Sequence, residues 1–442
     1  MPGNWHEAEE NAKGKRMKKK VIIIFLEIVV LVALSGQICR IWMKEEAQIR
    51  MDWNAPSGMV NVPEAMKEDL GTKHVTMTAI GDIMMHQWQI TRGYDAATDT
   101  FDYADSFTYV EPYLSEADFT FGNLETTFAG RYQGSSSDIL GYACYPMFNA
   151  PEVLGNNLKD AGVDFLATAN NHSLDSGLQG AYSTLDYLDS IGIPHVGTAR
   201  NEEEQQELCI VEVEGITFGF SCYTYATNGI PVPSGAPYCV NTLEMYEESR
   251  IQKMCDNVRA LDAAGVDVVM PIIHFGTEYR EMPDSWQEMC VDKLFEAGAD
   301  VIIGSHPHVV EPMEIREITN PDGTTRTGYV IYSLGNFISS QRYESGVMKD
   351  IGLILDMEFE KTGGVTNLVA WRFAPTYVYW TDDVIGVVPV IEAYENREQY
   401  SFLEEKDWNR IADSYQKTIQ TLTAITDCPY EIVDYEYVFQ IQ

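Results

Sequence analysis

Short apolar runs in this chain stop, one after another, on polar side chains able to hold a metal or a substrate. "TAIGDIMMH" reaches Asp82 and then His86, "FTFGNLE" reaches Asn123 and Glu125, and "FLATANNH" reaches Asn170, Asn171 and His172. "VMPIIHFG" reaches His274, "VIIGSHPH" reaches His306 and His308, and "YVIYSLGNF", read as one strand, reaches Asn336. Runs of this length and β-branched content read as buried strands. Helical patterns lie between them, at 150–162, 176–192, 246–264 and 284–298, with Gly162 and Gly298 as C-caps. Such alternation predicts an α/β fold, a layered mixed β-sheet sandwich flanked by helices, over residues 74–380. Gly turns within 208–223 and 351–373 add hairpins.

In open α/β sheets ligands bind beyond the carboxyl ends of the strands, so these residues can converge on one cleft. Of eight His, His86, His172, His274, His306 and His308 stand just past apolar runs, whereas His6, His74 and His195 do not. His306 and His308 are two apart, a spacing that in an extended segment points both imidazoles to the same side. Imidazole nitrogen with carboxylate and amide oxygen suits borderline first-row cations, Mn, Fe or Zn, and not calcium alone. One or two such divalent ions would clamp an oxyanion and lower the pKa of bound water. Each residue alone has a plainer reading. A single His past a strand is more often hydrogen-bonded or solvated, Asp82 fits a turn or helix N-cap, and Asn170, Asn171 and Asn336 fit turns. The joint pattern, not any one member, points to a site.

Thirty Lys+Arg against 67 Asp+Glu give a net charge of -37, which argues against nucleic acid as a partner. The cations cluster in "KGKRMKKK" within a basic N-terminus, 1–20, and an apolar run, 21–39, follows. That order predicts a transmembrane anchor with its N-terminus in the cytoplasm and the main domain extracellular. Glu27 opposes insertion by about 2.5–3.5 kcal/mol at mid-bilayer, and "ALS" at 33–35 leaves a cleaved signal peptide as the rival reading. Residues 40–73 read as a linker. Eight single Cys with no C-x-x-C pair exclude a zinc ribbon and read as mostly buried thiols. The segment 381–442 reads as a tail with an amphipathic helix whose stripe, Trp408 to Ile425, packs on the domain.

The ordered stretches "AIGDIMMH", "FGNLET", "YPMFNAPEVL", "ATANNHSLDSG", "GIPHVGTARNEEE", "IIHFGTEY", "GSHPHVVEP" and "YSLGNFI" resemble the CapA family of capsule and poly-γ-glutamate synthesis proteins. The family fold is similar to that of calcineurin-type metallophosphatases. By that resemblance Asp82, Glu125, Asn171, His274, His306 and His308 are metal ligands, and His172 is the acid or substrate-orienting histidine. Two positions depart from the phosphatase pattern: Met84 stands where a ligand His is usual, and Glu125 replaces the commoner Asp. A thioether is a poor ligand for these ions, so His86 swings in or one site is weak or absent. Asp175 is a candidate to fix the His172 tautomer, or else serves a helix N-terminus. The resemblance implies a membrane-anchored, metal-dependent hydrolase or transferase acting on an anionic polymer such as poly-γ-glutamate. The alternative it leaves is a non-catalytic polymer-binding subunit among other capsule synthesis and export subunits, and a surface nucleotidase ranks last.

Overall fold

In β1 (Lys73–Ile83) successive side chains point to opposite faces. Val75, Met77 and Ala79 enter one apolar cluster, and Ile80 enters another. The register against the neighbouring strand then shifts between Ile80 and Asp82, so the alternation slips by one and Ile83 rejoins the face of Ile80. This bulge turns Asp82 away from the regular alternation at the strand's end.

The computed structural model describes residues 71–132, 139–243, 248–320 and 322–441. The basic N-terminus, the anchor segment and residues 40–70 of the linker lie outside the described residues. Among the described residues no helix is long and apolar enough to cross a membrane. After β1 come α1 (Gln87–Arg92), the small hairpin β2 (Tyr94–Asp95) and β3 (Thr100–Phe101), α2 (Glu111–Ser115) and β4 (Phe119–Leu124). Next are α3 (Val153–Asp160), β5 (Phe165–Ala167), α4 (Gly177–Ile191), β6 (His195–Val196) and α5 (Glu202–Gln206). A second sheet is laid down by β7 (Cys209–Val213), β8 (Ile216–Thr224), β9 (Val268–His274), β10 (Val301–Ser305), β11 (Met313–Thr319) and β12 (Thr325–Ile331). Its helices are α6 (Glu248–Ala263), before β9, and α7 (Ser285–Ala297), before β10. The chain then returns to the first sheet through β13 (Asn336–Ile338), β14 (Ile351–Thr362), β15 (Val365–Trp380) and β16 (Ile385–Pro389). It ends with α8 (Val390–Glu395), α9 (Glu405–Leu422), β17 (Tyr430–Val433) and β18 (Glu436–Phe439).

The first sheet has ten strands, in the order β17-β18-β15-β14-β1-β4-β5-β6, with β13 paired to β1 and β16 to β15. The second has six, in the order β11-β12-β10-β9-β8-β7. Their inner faces share one core: Met77, Phe121 and Phe165 from the first, with Phe218, Phe220, Met270 and Ile303 from the second. Helices cover the outer faces. Leu154 and Leu158 of α3 and Leu188 of α4 pack with Ile80, while Met254 and Val258 of α6 and Val291 and Leu294 of α7 pack with Val269 and Ile302. The result is a four-layer mixed α/β sandwich.

Two details differ from the sequence reading. The run "YVIYSLGNF" is split: β12 ends at Ile331 in the second sheet, and β13 begins at Asn336 in the first. A positive φ at Gly335 makes that transfer possible. The segment 381–442 supplies β16, β17 and β18 to the first sheet, and Ile411, Ile419 and Leu422 of α9 are buried in the shared core, whereas Ile425 lies beyond the helix and is exposed. The seven described cysteines are free thiols, with Cys222, Cys239, Cys255 and Cys290 buried.

Candidate metal centre

Parallel strands bring their carboxyl ends to one edge. In the first sheet β1 pairs in parallel with β4, and β4 with β5, placing Asp82 beside Asn123 with Glu125 just beyond. In the second, β9 and β10 are parallel with His274 opposite Ser305. Face-to-face packing of the sheets joins the two edges. Close approach at Gly81 matters here, because a Cβ there would lie 2.0 Å from Gly335 O. Only glycine admits the 334–336 loop, which accepts the Asp82 N–H at 2.9 Å and sets Asn336 opposite Asp82 in the β1–β13 register.

His306 and His308 reach the centre by a route other than the extended segment their spacing suggested. Their φ values are 102° and 58°, in the region L residues rarely occupy. The chain bends at each, and the ring centroids lie 6.0 Å apart. Tyr279 N–H donates to Pro307 O between them at 2.8 Å, which helps hold the strained turn in place.

All seven predicted site residues converge. Ligand atoms lie within 4.8 Å of one another in three overlapping groups: Asp82, Glu125 and His308; Glu125, His274 and His306; and Glu278, His306 and His308. His274 Nε2 is 2.8 Å from Asn171 Oδ1 and 3.5 Å from Glu125 Oε1. His308 Nδ1 donates toward Asp82 Oδ2 and Asn336 Oδ1, both at 3.1 Å, and its Nε2 is 3.8 Å from Glu125 Oε1. Burial raises the Glu125 carboxyl to about 8, aided by the Asp82 charge. Burial also lowers His274 to about 3 and holds His306 well below the ordinary imidazole range. Burial opposes charge on His308 too, but Glu125 and Asp82 outweigh it and raise this ring to about 9. Asp82 stays below the usual carboxylate range despite its burial, because His308 and His274 face it.

The donor set fits a divalent cation. Both Glu125 oxygens and His306 Nδ1 are buried without a hydrogen-bond partner. Leaving such groups unsatisfied costs about 1–3 kcal/mol each, more when charged, and imidazole with carboxylate is the set borderline first-row ions accept. Asp82, Glu125, Asn171, His274, His306 and His308 would hold one or two of them.

His172 stands beside this cluster with its Nε2 3.9 Å from Glu125 Oε1. Its Nδ1 is 2.6 Å from Asp175 Oδ2, which also accepts Phe148 N–H at 2.5 Å. The Asp175 carboxylate thus bonds the ring through Oδ2, while its Oδ1 is without a hydrogen-bond partner. His86 is not drawn in: Ser340 N–H donates to its Nδ1 at 3.3 Å, and Phe148 lies between it and His172, with ring centroids 5.0 and 4.7 Å away. Met84 is buried and donates its N–H to Ile338 O.

Three contributors were not assigned site roles from the sequence. Asn336 is a strand residue that accepts from His308, where a turn was expected. Glu278 sits four residues past His274 inside the quoted "HFGTEY", and its spacing was the available signal. Tyr225 packs on His306 with centroids 4.5 Å apart, and nothing local marks it.

Comparison with known proteins gives the family. The model of the bacterial capsule synthesis protein family PGA_cap matches residues 76–341. The chain belongs to that family. Capsule biosynthesis protein CapA of Bacillus anthracis is 29% identical over 276 residues, 60% of this chain and 60% of that protein. PGA biosynthesis protein CapA of Bacillus subtilis (strain 168) is 28% identical over 266 residues, 59% and 62% of the two chains. The chain thus spans about three fifths of the length of these curated relatives. The crystal structure of TT1561 of Thermus thermophilus covers 64% of this chain and 93% of its own at 8% identity, with a TM-score of 0.33, too low to bear on chemistry. Every site residue described here lies inside the matched span.

Proposed function

We propose that this PGA_cap protein is a metal-dependent hydrolase or transferase of metallophosphatase-like type, acting on an anionic polymer such as poly-γ-glutamate during its synthesis or export. One observation carries the reading: Glu125, with both oxygens unpartnered, is buried among Asp82, His274, His306 and His308. The names of the Bacillus relatives, which concern capsule and PGA biosynthesis, support the choice of polymer. The apolar run 21–39 anchors the chain, with its N-terminus in the cytoplasm and the domain outside, beside other capsule synthesis and export subunits.

Asp82, Glu125, Asn171, His274, His306 and His308 would hold divalent ions, Mn, Fe or Zn, which would supply charge stabilisation for an oxyanion and an acidified water. In a protein of charge -37 they also give an anionic substrate a positive point to approach. The chain's own residues do the rest. Asp175 takes the Nδ1–H of His172 and leaves Nε2 facing the cluster. Protonated on Nε2 as well, the imidazolium gives that proton to the leaving amine or oxygen as the incoming water or acceptor oxygen bonds to the substrate and the old bond breaks, and the ring is left neutral. Phe148, edge-on to the His172 ring, limits its rotation.

Full-length protein loaded with Mn, Zn or Fe and assayed on poly-γ-glutamate and on a generic phosphodiester tests this. Turnover that His172→Ala abolishes without loss of metal supports the enzyme. Met84, where a ligand His is usual, favours a second reading, a polymer-binding subunit. Tight binding of polymer without turnover would decide for it.

A further inference from the structure

Four residues past His274 the chain carries Glu278, exposed at the rim, with a carboxylate oxygen within 4.8 Å of ligand nitrogens of both His306 and His308. Those imidazoles are shared: His306 also belongs with Glu125 and His274, and His308 with Asp82 and Glu125. His306 Nδ1 and both Glu125 oxygens are buried without hydrogen-bond partners. The centre therefore has more donor capacity than the protein itself satisfies.

The backbone holds Glu278 at that rim. Gly276, with φ 102°, lets the chain turn sharply off β9, and a Cβ there would meet the Gln287 carboxamide at 2.6 Å. Tyr279, with φ 67°, donates its N–H to Pro307 O at 2.8 Å, between the two histidines. The segment bearing the carboxylate is thus fastened to the segment bearing the rings it faces. An exposed glutamate on an untied loop would have no such constraint.

Resting on the metal reading above, we infer that Glu278 is a further ligand of the centre, forming with His306 and His308 a second cation site in a chain whose position 84 offers only a thioether. One carboxylate and two imidazoles make a donor set for the same borderline ions. Being exposed, Glu278 holds the more exchangeable ion, while the buried donors Asp82, Glu125, His274 and Asn171 retain the other.

Mn²⁺ titration of the full-length chain by calorimetry and electron paramagnetic resonance tests this on wild type, Glu278→Gln and Glu281→Gln, the last an exposed carboxylate three residues on. The expected result is a loss of about 10- to 100-fold in affinity for one ion in Glu278→Gln, with Glu281→Gln matching wild type. Glu278→His, which returns a donor, should recover part of that loss. Equal Mn²⁺ binding by Glu278→Gln and wild type overturns the role of Glu278 and leaves the metal reading standing. A wild-type chain that binds no Mn²⁺ overturns both.

Discussion

The short contact between His172 Nδ1 and Asp175 Oδ2, 2.6 Å, leaves the other ring nitrogen facing Glu125. Asp175→Ala removes that acceptor together with the one for Phe148 N–H. The expected outcome is a fall in kcat of about 10²–10⁴ with metal content unchanged, read by steady-state kinetics beside elemental analysis. Turnover at the wild-type level would end the orienting role. A second buried carboxylate, Glu311, has its Oε2 bonded by Gln287 Nε2 at 2.6 Å and its Oε1 unpartnered. Burial raises it to about 8 from an ordinary 4.5. A folded-state pKa above the unfolded value means the stabilising contribution is complete below about 4.5 and lost as pH rises to about 8. Glu311→Gln should remove this slope, leaving the variant more stable than wild type at pH 9 by an amount on the order of a few kcal/mol. Urea midpoints at pH 5 and pH 9 check the sign.

At the level of elements, the bulge at Gly81–Asp82 and the 334–336 loop form one device. A Cβ at residue 81 would lie 2.0 Å from Gly335 O, so Gly81→Ala should push that carbonyl back and carry Asn336 from His308. Weakened Mn²⁺ binding in a variant that still folds, followed by calorimetry and circular dichroism, is the expected result. Phe220 anchors the sheet-to-sheet core, 4.9 Å from Phe165 and 5.4 Å from Phe121 between ring centroids. Phe220→Ala should destabilise by about 3–5 kcal/mol in urea unfolding. These elements also mark how far the sequence could be read. The apolar runs ending on Asp82, Asn171 and His274 were visible because strand length and a polar stop are local properties. The passage of 331–336 from one sheet to the other was not, since it depends on strands distant in the chain. Nor was the left-handed backbone at His306 and His308, for which no residue type gave a signal. Asn336 shows the same limit: a Gly-Asn pair looks like a turn until β1 pairs with it.

Across the whole molecule the two sheets supply different chemistry. Oxygen donors Asp82, Glu125 and Asn171 stand in the last residues of, or just past, strands of the first sheet, and the imidazoles of His274, His306 and His308 do so in the second. A cation shared by these groups favours the folded state by mass action, about 2.7 kcal/mol at one hundred times its Kd. Chelation should therefore lower the melting temperature, and added Mn²⁺ should restore it. A melt indifferent to both would count against the centre. An ion held by both sets of donors would be in effect a rivet through the sandwich, unable to leave with its full ligand shell unless one sheet lets go of it. Radiotracer release from the loaded protein would then follow how often the halves draw apart, turning the metal into a clock for the breathing of the fold.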